Sequence, residues 1–105
     1  MEMLTRIEEF ALVAIIHLDD EAYGIKILEY LKKTTGRKWS IGALYSLLDR
    51  LEIKGFLETS LGEPTPRRGG RSKKYCMVTP EGMQELKRIR TLQDKIWAEL
   101  PGEIG

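Results

Sequence analysis

The chain has a single cysteine and a single histidine among its 105 residues, and each scarcity excludes a kind of chemistry. Because Cys76 has no second cysteine to pair with, the chain can form no internal disulfide, which is typical of a protein of the reducing cytoplasm. A lone His17 cannot build the histidine-rich sites that hold zinc. We therefore expect a cytoplasmic protein without a bound metal.

Long apolar runs and catalytic motifs are missing as well. No apolar stretch approaches the roughly 18 residues that a membrane-spanning helix needs, and the first residues lack the basic-then-apolar order of a signal peptide. Gly69 and Gly70 do not open a helix, so they form no phosphate-binding loop, and no nucleophile motif is present. We therefore expect neither a membrane protein nor an enzyme, and no cofactor.

Positive charge is unevenly distributed, although the net charge is only +1. One stretch carries five cations and no carboxylate, whereas acidic residues collect elsewhere in the chain. Such a cluster can hold a phosphate backbone, or it can be an ordinary solvated loop, and the sequence leaves both interpretations open. The cations of this stretch are Arg67, Arg68, Arg71, Lys73 and Lys74.

Two predicted helices carry more apolar surface than one small domain can cover. The first runs from about residue 4 to residue 18 and is apolar on much of its circumference. The last begins after Thr79, a typical N-cap, and its apolar seam continues for about 30 Å. A second copy of the chain would cover both. We predict a dimer interface that contains Ile7, Phe10, Ala14, Leu86, Ile89, Ile96, Trp97 and Leu100.

Between these helices the pattern predicts two shorter helices and a hairpin. The second helix begins near Tyr23, with Ile25, Leu28 and Leu31 on its apolar face and Ile27 beside them, and it ends before Gly36. The third spans about 40–54 and is followed by strands over 56–61 and 73–78. We therefore predict a mainly α fold with a small β-hairpin: a winged helix-turn-helix over 1–79 and a long dimerisation helix over 80–105.

This order places a recognition helix over 40–54 and a basic wing over 57–78. Small residues at the start of the recognition helix would let its backbone approach the major groove of DNA. The ring of Tyr45 can pack while its hydroxyl reaches a phosphate, or Tyr45 can be a simple packing residue. Arg50 either contacts phosphate or pairs with a nearby carboxylate. With the five wing cations, the candidate DNA contacts are Tyr23, Ser40, Gly42, Ala43, Tyr45, Ser46 and Arg50.

An ordered set of short motifs resembles the PadR family of bacterial regulators. They are Tyr23-Gly24-Ile25, Gly42-Ala43-Leu44-Tyr45, Leu48-Asp49-Arg50-Leu51-Glu52, the wing piece from Gly69 to Tyr75, and Val78-Thr79-Pro80-Glu81-Gly82. The resemblance covers about residues 10–90 and implies the short branch of the family, with one helix after the wing. It also implies a homodimer that represses a nearby promoter through double-stranded DNA, released by a small aromatic or cationic compound.

Two alternatives remain open at this stage. The winged helix can instead serve as a protein-interaction or RNA-binding module without an operator, which the low net charge favours. Trp97 can be a simple interface anchor, or it can offer its ring to a planar aromatic effector at the dimer interface.

Overall fold

The computed structural model describes residues 4–62 and 73–102, and this part of the chain is mainly helical. In it, four α-helices and a two-stranded antiparallel hairpin follow one another, as the sequence predicts. In chain order the elements are α1 (Arg6–Leu18), a 3₁₀ turn (Asp19–Glu21), α2 (Gly24–Thr35), α3 (Ile41–Ile53), β1 (Leu57–Leu61), β2 (Lys74–Val78) and α4 (Pro80–Ala98).

Side-chain caps set where three of the helices begin. The backbone N–H of Ala43 donates to Ser40 Oγ at 3.0 Å, and that of Gly82 donates to Thr79 Oγ1 at 3.0 Å. Thr5 caps α1 in a reciprocal capping box with Glu8, so the helix starts at Arg6 rather than at the predicted Leu4. Each cap satisfies backbone donors that the first turn leaves without a partner.

The apolar face of α2 differs from the prediction at one position. Ile25 is 53% exposed, whereas Ile27 is fully buried together with Leu28 and Leu31. Ile27 and Leu31 are four residues apart and therefore lie on the same side of the helix, whereas Ile25 lies two residues from Ile27 and points away. The prediction that Ile25 lies on the buried face of α2 was therefore wrong, because the buried face is centred on Ile27, Leu28 and Leu31.

The core lies where α1, α2 and α3 meet. Leu12, Ile15, Ile27, Leu44 and Leu51 are at most 2% exposed, and they form one cluster with their buried neighbours. Truncating a leucine in such a cluster to alanine typically costs about 2–5 kcal/mol, because the cavity does not fully close. This core fixes α3 against the other two helices and leaves the opposite side of α3 in solvent.

A buried ion pair joins the start of α1 to the end of α3. Glu8 is fully enclosed, and Lys54 Nζ donates to both of its carboxylate oxygens at 2.9 and 3.1 Å. Burial acts to raise the pKa of Glu8, but the hydrogen bonds from Lys54 and Thr5 and the charge of Lys54 outweigh it and lower the pKa below its ordinary value. The pair therefore favours the ionised carboxylate in the folded chain.

The hairpin is attached to the helices through the segment before α2. Its register pairs Leu57 with Val78 at one end. The N–H of Cys76 donates to the carbonyl of Ala22 at 2.8 Å, beside a single bridge between Tyr23 and Tyr75. The thiol of Cys76 is buried, and burial raises its pKa to about 11, so it is uncharged at neutral pH.

The helix α4 leaves the core along its second half. Its first half packs through Gly82 and Ile89, whereas Ile96 and Trp97 are 51% and 58% exposed. The chain consequently measures 57 Å along its longest axis and 28 Å by 21 Å across. None of the helices within residues 4–62 and 73–102 combines the length and the apolar character needed to cross a membrane.

Candidate nucleic-acid interface

The outward surface of α3 gathers the predicted contacts of the recognition helix. Leu44, Leu47, Leu48 and Leu51 are buried and hold the helix to the core. The remaining side of α3 and its cap are exposed, which brings together Ser40, Gly42, Ala43, Tyr45, Ser46 and Arg50. A Cβ built on Gly42 would have no other atom within 4 Å, so a ligand can approach the backbone closely at this position.

Tyr45 packs over the start of α2 while remaining 45% exposed. A Cβ built on Gly24 would lie only 2.6 Å from the hydroxyl oxygen of Tyr45 and 3.1 Å from its Cζ. The ring of Tyr45 therefore packs, which both interpretations of this residue require, and the glycine at position 24 makes room for the phenol.

This contact gives a testable prediction. Gly24→Ala should lower the free energy of unfolding by about 1 kcal/mol, because the methyl group overlaps the Tyr45 hydroxyl. Tyr45→Phe removes that oxygen, so the double variant should recover most of the loss in urea denaturation. If Tyr45→Phe fails to rescue Gly24→Ala, the crowding comes from the ring carbons of Tyr45, at 3.1 and 3.2 Å from the added Cβ, and not from its hydroxyl.

Arg50 is exposed at the side of α3, and in the described part of the chain no carboxylate lies within 4.0 Å of its guanidinium. Glu52 instead accepts a hydrogen bond from Thr59 Oγ1 at 2.9 Å. Of the two roles left open for Arg50, pairing with a neighbouring carboxylate is not observed. Its charge therefore faces solvent beside the outward surface of α3.

The base of the wing is organised around Tyr23. Its ring meets that of Tyr75 edge to face at a centroid distance of 5.5 Å, and Lys73 Nζ lies 4.3 Å from the centroid of Tyr23. Lys73 and Lys74 are exposed. Tyr23 thus packs against Tyr75 and is the cation–π partner of Lys73. The predicted contacts Arg67, Arg68 and Arg71 lie outside the described residues.

The structure adds cations that the sequence reasoning missed. Arg37 and Lys38 occupy the turn before α3, and with Arg6 and Arg50 they surround a groove of about 920 Å³ between α1, that turn and α3. The adjacent Arg37 and Lys38, which closely precede the cap Ser40, could have indicated from the sequence alone that positive charge lies beside the start of α3. We call this the α1–α3 groove; it is lined by Arg6, Ile7, Phe10, Thr34, Thr35, Arg37, Lys38, Trp39, Ser40, Ala43, Ser46, Leu47 and Arg50.

The predicted dimer-interface residues divide into two groups. Ala14 is fully buried and Ile89 is 3% exposed, so both belong to the core of the chain itself, and their inclusion in the interface needs correction. Ile7 and Phe10 are 49% and 39% exposed on α1, while Leu86 is half-buried. The other exposed or half-buried members are Ile96, Trp97 and Leu100.

The side chains of the described residues offer no metal centre. Within residues 4–62 and 73–102 no group of three or more histidine, cysteine, aspartate or glutamate side chains is placed to hold a metal ion. The outward surface of α3 therefore offers hydrogen-bonding groups, small side chains, the positive charge of Arg50 and the negative charge of the exposed Asp49.

Comparison with known proteins agrees with this arrangement. The model of the PadR-like family of transcriptional regulators matches residues 12–88. No curated protein sequence matches the chain significantly. A transcriptional regulator structure from Clostridium thermocellum is 25% identical, with a TM-score of 0.67 over 90% of this chain and 88% of that one.

Two further structures carry the same fold. A PadR-like transcription factor from Bacteroides fragilis is 24% identical, with a TM-score of 0.66 over 86% of this chain and 82% of that one. A PadR family regulator from hypervirulent Clostridium difficile is 22% identical, with a TM-score of 0.68 over 93% and 98%. Since the family model spans most of the chain, this protein belongs to the PadR-like family and is a DNA-binding transcriptional regulator.

Proposed function

We propose that the chain is a homodimeric repressor that reads an inverted-repeat operator through α3 and steadies itself on the phosphate backbone through its wing. The observation that carries the proposal is the outward surface of α3, where small side chains are flanked by Arg50. A two-fold dimer would present two such helices to adjacent major grooves about 34 Å apart. Footprinting of the promoter upstream of its own gene should show two protected half-sites, and protection of one alone contradicts the symmetric arrangement.

The wing cations should supply affinity that does not depend on sequence. Replacing Lys73 and Lys74 with alanine should lower the magnitude of the salt slope by roughly two if each contacts one phosphate, and should weaken binding to all duplexes alike. Lys87→Ala with Lys95→Ala removes the same charge from exposed positions of α4, outside the wing, and is the control. An unchanged slope in the wing variant means that these two side chains face solvent.

Dimerisation is supported by the apolar residues that a single chain leaves exposed. Ile96 and Trp97 lie near the end of α4, and Ile7 and Phe10 lie on α1. The side chains of both pairs are about half-exposed in a single chain. If the end of α4 of one copy packed on α1 of another, both apolar surfaces would be removed from water. We propose that the end of α4 packs on α1 of a second copy.

Ile96→Glu should convert the dimer to a monomer in sedimentation at micromolar concentration, because the carboxylate would be buried without a partner. Ala98→Glu adds the same charge two residues later, about 200° around the helix, and should remain dimeric. A monomeric unmodified protein under these conditions contradicts the proposed dimer.

Trp97 supports a second, narrower proposal. Its indole is 58% exposed and lies at the proposed interface, where it could stack on a planar aromatic effector. Packing on the partner's α1 is the alternative. A Trp39→Phe variant leaves Trp97 as the fluorescent reporter. Saturable quenching by planar aromatic compounds supports the effector role, and no quenching supports packing on the partner's α1.

A further inference from the structure

One row of residues on α3 points directly away from the core. The buried leucines of this helix share one side. With about 100° of rotation per residue, four positions lie within about 30° of the opposite direction. All four are exposed, and the isoleucine among them is 85% exposed. We call this row the outermost line of α3; it consists of Gly42, Ser46, Asp49 and Ile53.

The residues beside this line differ from it in position and chemistry. Arg50 lies about 70° to one side of the direction opposite the core, and Tyr45 lies about 70° to the other side. The major groove of DNA is about 12 Å wide, and a helix with its side chains is about 10–12 Å across, so a helix fills the groove. Arg50 and Tyr45 would then face the phosphates of the two walls, whereas the outermost line would face the base edges.

Asp49 carries the only charge on the outermost line of α3. Within residues 4–62 and 73–102, no cation lies within 4.0 Å of its carboxylate. Its side chain lines a small recess that Thr59 and Lys74 of the hairpin also line. A carboxylate beside DNA lowers the affinity, because the phosphates repel it. The charge of Asp49 is therefore favourable only where a group of the DNA donates a hydrogen bond to it.

We propose that Asp49 determines the sequence specificity of α3 at one base pair of each half-site, by accepting a hydrogen bond from the exocyclic amino group of a cytosine. This inference rests on the proposed function. In the major groove cytosine offers its N4 amino group, whereas guanine and thymine offer acceptor atoms. Adenine offers its N6 amino group beside the acceptor N7, which repels a carboxylate. Cytosine is thus the base that suits a group that only accepts.

The side on which Asp49 lies also favours a base over a phosphate. Asp49 is about 100° around the helix from Arg50, whereas Ser46 is only about 40° from it. A carboxylate at position 46 would therefore lie toward the phosphates that Arg50 contacts. At position 49 it lies close to the direction of the groove floor, where the amino groups of the bases are found.

The inference is tested by selection from duplexes with a random central segment. The unmodified protein and Asp49→Asn each enrich the sequences that they bind. An asparagine amide both donates and accepts, and it pairs with N6 and N7 of adenine. The variant should therefore select adenine where the unmodified protein selects cytosine, with the other positions unchanged. Asp94→Asn makes the same chemical change at an exposed position of α4 and should select the unmodified sequence.

Gel shifts on single duplexes measure the size of the effect. Changing the selected C·G pair to T·A in one half-site replaces the amino donor with the acceptor O4, and the unmodified protein should then bind about tenfold more weakly. Asp49→Ser should bind both duplexes almost equally, because a hydroxyl can either donate or accept. This variant should also bind a duplex of unrelated sequence more tightly than the unmodified protein does, since it lacks the negative charge.

The other outcomes have distinct meanings. If Asp49→Asn selects the same sequence as the unmodified protein, Asp49 reads no base and the inference is wrong. If Asp49→Asn instead weakens binding to all duplexes alike, Asp49 acts through Lys74 on the wing, and the inference is also wrong. A change from cytosine to adenine in a sequence that is not an inverted repeat supports the inference and contradicts the symmetric dimer. If the unmodified protein enriches no sequence, α3 reads no operator, and both the proposed function and this inference are wrong.

Discussion

Lys54→Met should lower the free energy of unfolding at neutral pH by about 3 kcal/mol, which is at the lower end of what breaking a buried ion pair costs. The change keeps an unbranched apolar side chain but removes the ammonium that binds both oxygens of Glu8. Glu8 is fully buried, so its carboxylate would be left with the hydrogen bond that the N–H of Thr5 donates. The lower end applies because the side chain of Lys54 is 22% exposed and water reaches its place. Urea denaturation measures the loss, with Lys87→Met on α4 as the control.

The pH dependence tests the cause of this loss. In the unmodified chain the folded-state pKa of Glu8 lies below its ordinary value of 4.5, so the stabilisation is complete above that value and is lost as the pH falls through the folded pKa. In Lys54→Met the contributions of Lys54 are gone, so burial should dominate and the pKa of Glu8 should rise. The deficit of the variant should therefore shrink as the pH is lowered from 7 to 4. An equal deficit at both pH values means that lost packing, and not the unpaired charge, is responsible.

A second substitution completes the argument. Glu8→Gln in the Lys54→Met background replaces the unpaired carboxylate with a neutral amide that can still accept from the N–H of Thr5. Stability at neutral pH should rise above that of Lys54→Met. If it does not rise, the charge of Glu8 is not the source of the loss.

The ends of the elements could be predicted because local chemistry decides them. Ser40 and Thr79 act as caps within three residues of the N–H groups that they accept. Gly36 and Gly55 adopt positive φ of 69° and 84° where the chain must leave a helix. The sequence also predicts that α1 has more apolar surface than one chain can bury, and in the structure Ile7 is 49% exposed. These features depend on residues that are close together in the sequence, so the sequence pattern is enough to predict them.

The features that could not be predicted depend on distant parts of the chain. Glu8 and Lys54 are 46 residues apart, and nothing near either residue indicates the other. The α1–α3 groove is assembled from three separate elements. Ala14 is buried rather than available to a partner, because the rotation of α1 is set by the helices that pack on it. Such outcomes follow from tertiary packing and not from local propensity.

Ser46→Asp should reduce specific DNA affinity at least about 100-fold while leaving the fold intact. Ser46 is exposed on α3, about 200° around the helix from the buried Leu44, so its side chain points away from the core. A carboxylate there would face phosphates, and juxtaposing like charges costs several kcal/mol, of which each 1.4 kcal/mol is a factor of ten. Binding is measured by gel shift on the footprinted operator at fixed salt.

Thr91→Asp provides the matched control, because it adds the same charge at an exposed position of α4 on the side opposite Ile89. If Thr91→Asp weakens binding as much as Ser46→Asp does, the effect comes from net charge and not from the position on α3. Circular dichroism and urea denaturation should show both variants folded. If Ser46→Asp binds the operator normally, α3 is not the reading element, and use of this surface for a protein or an RNA becomes the better account.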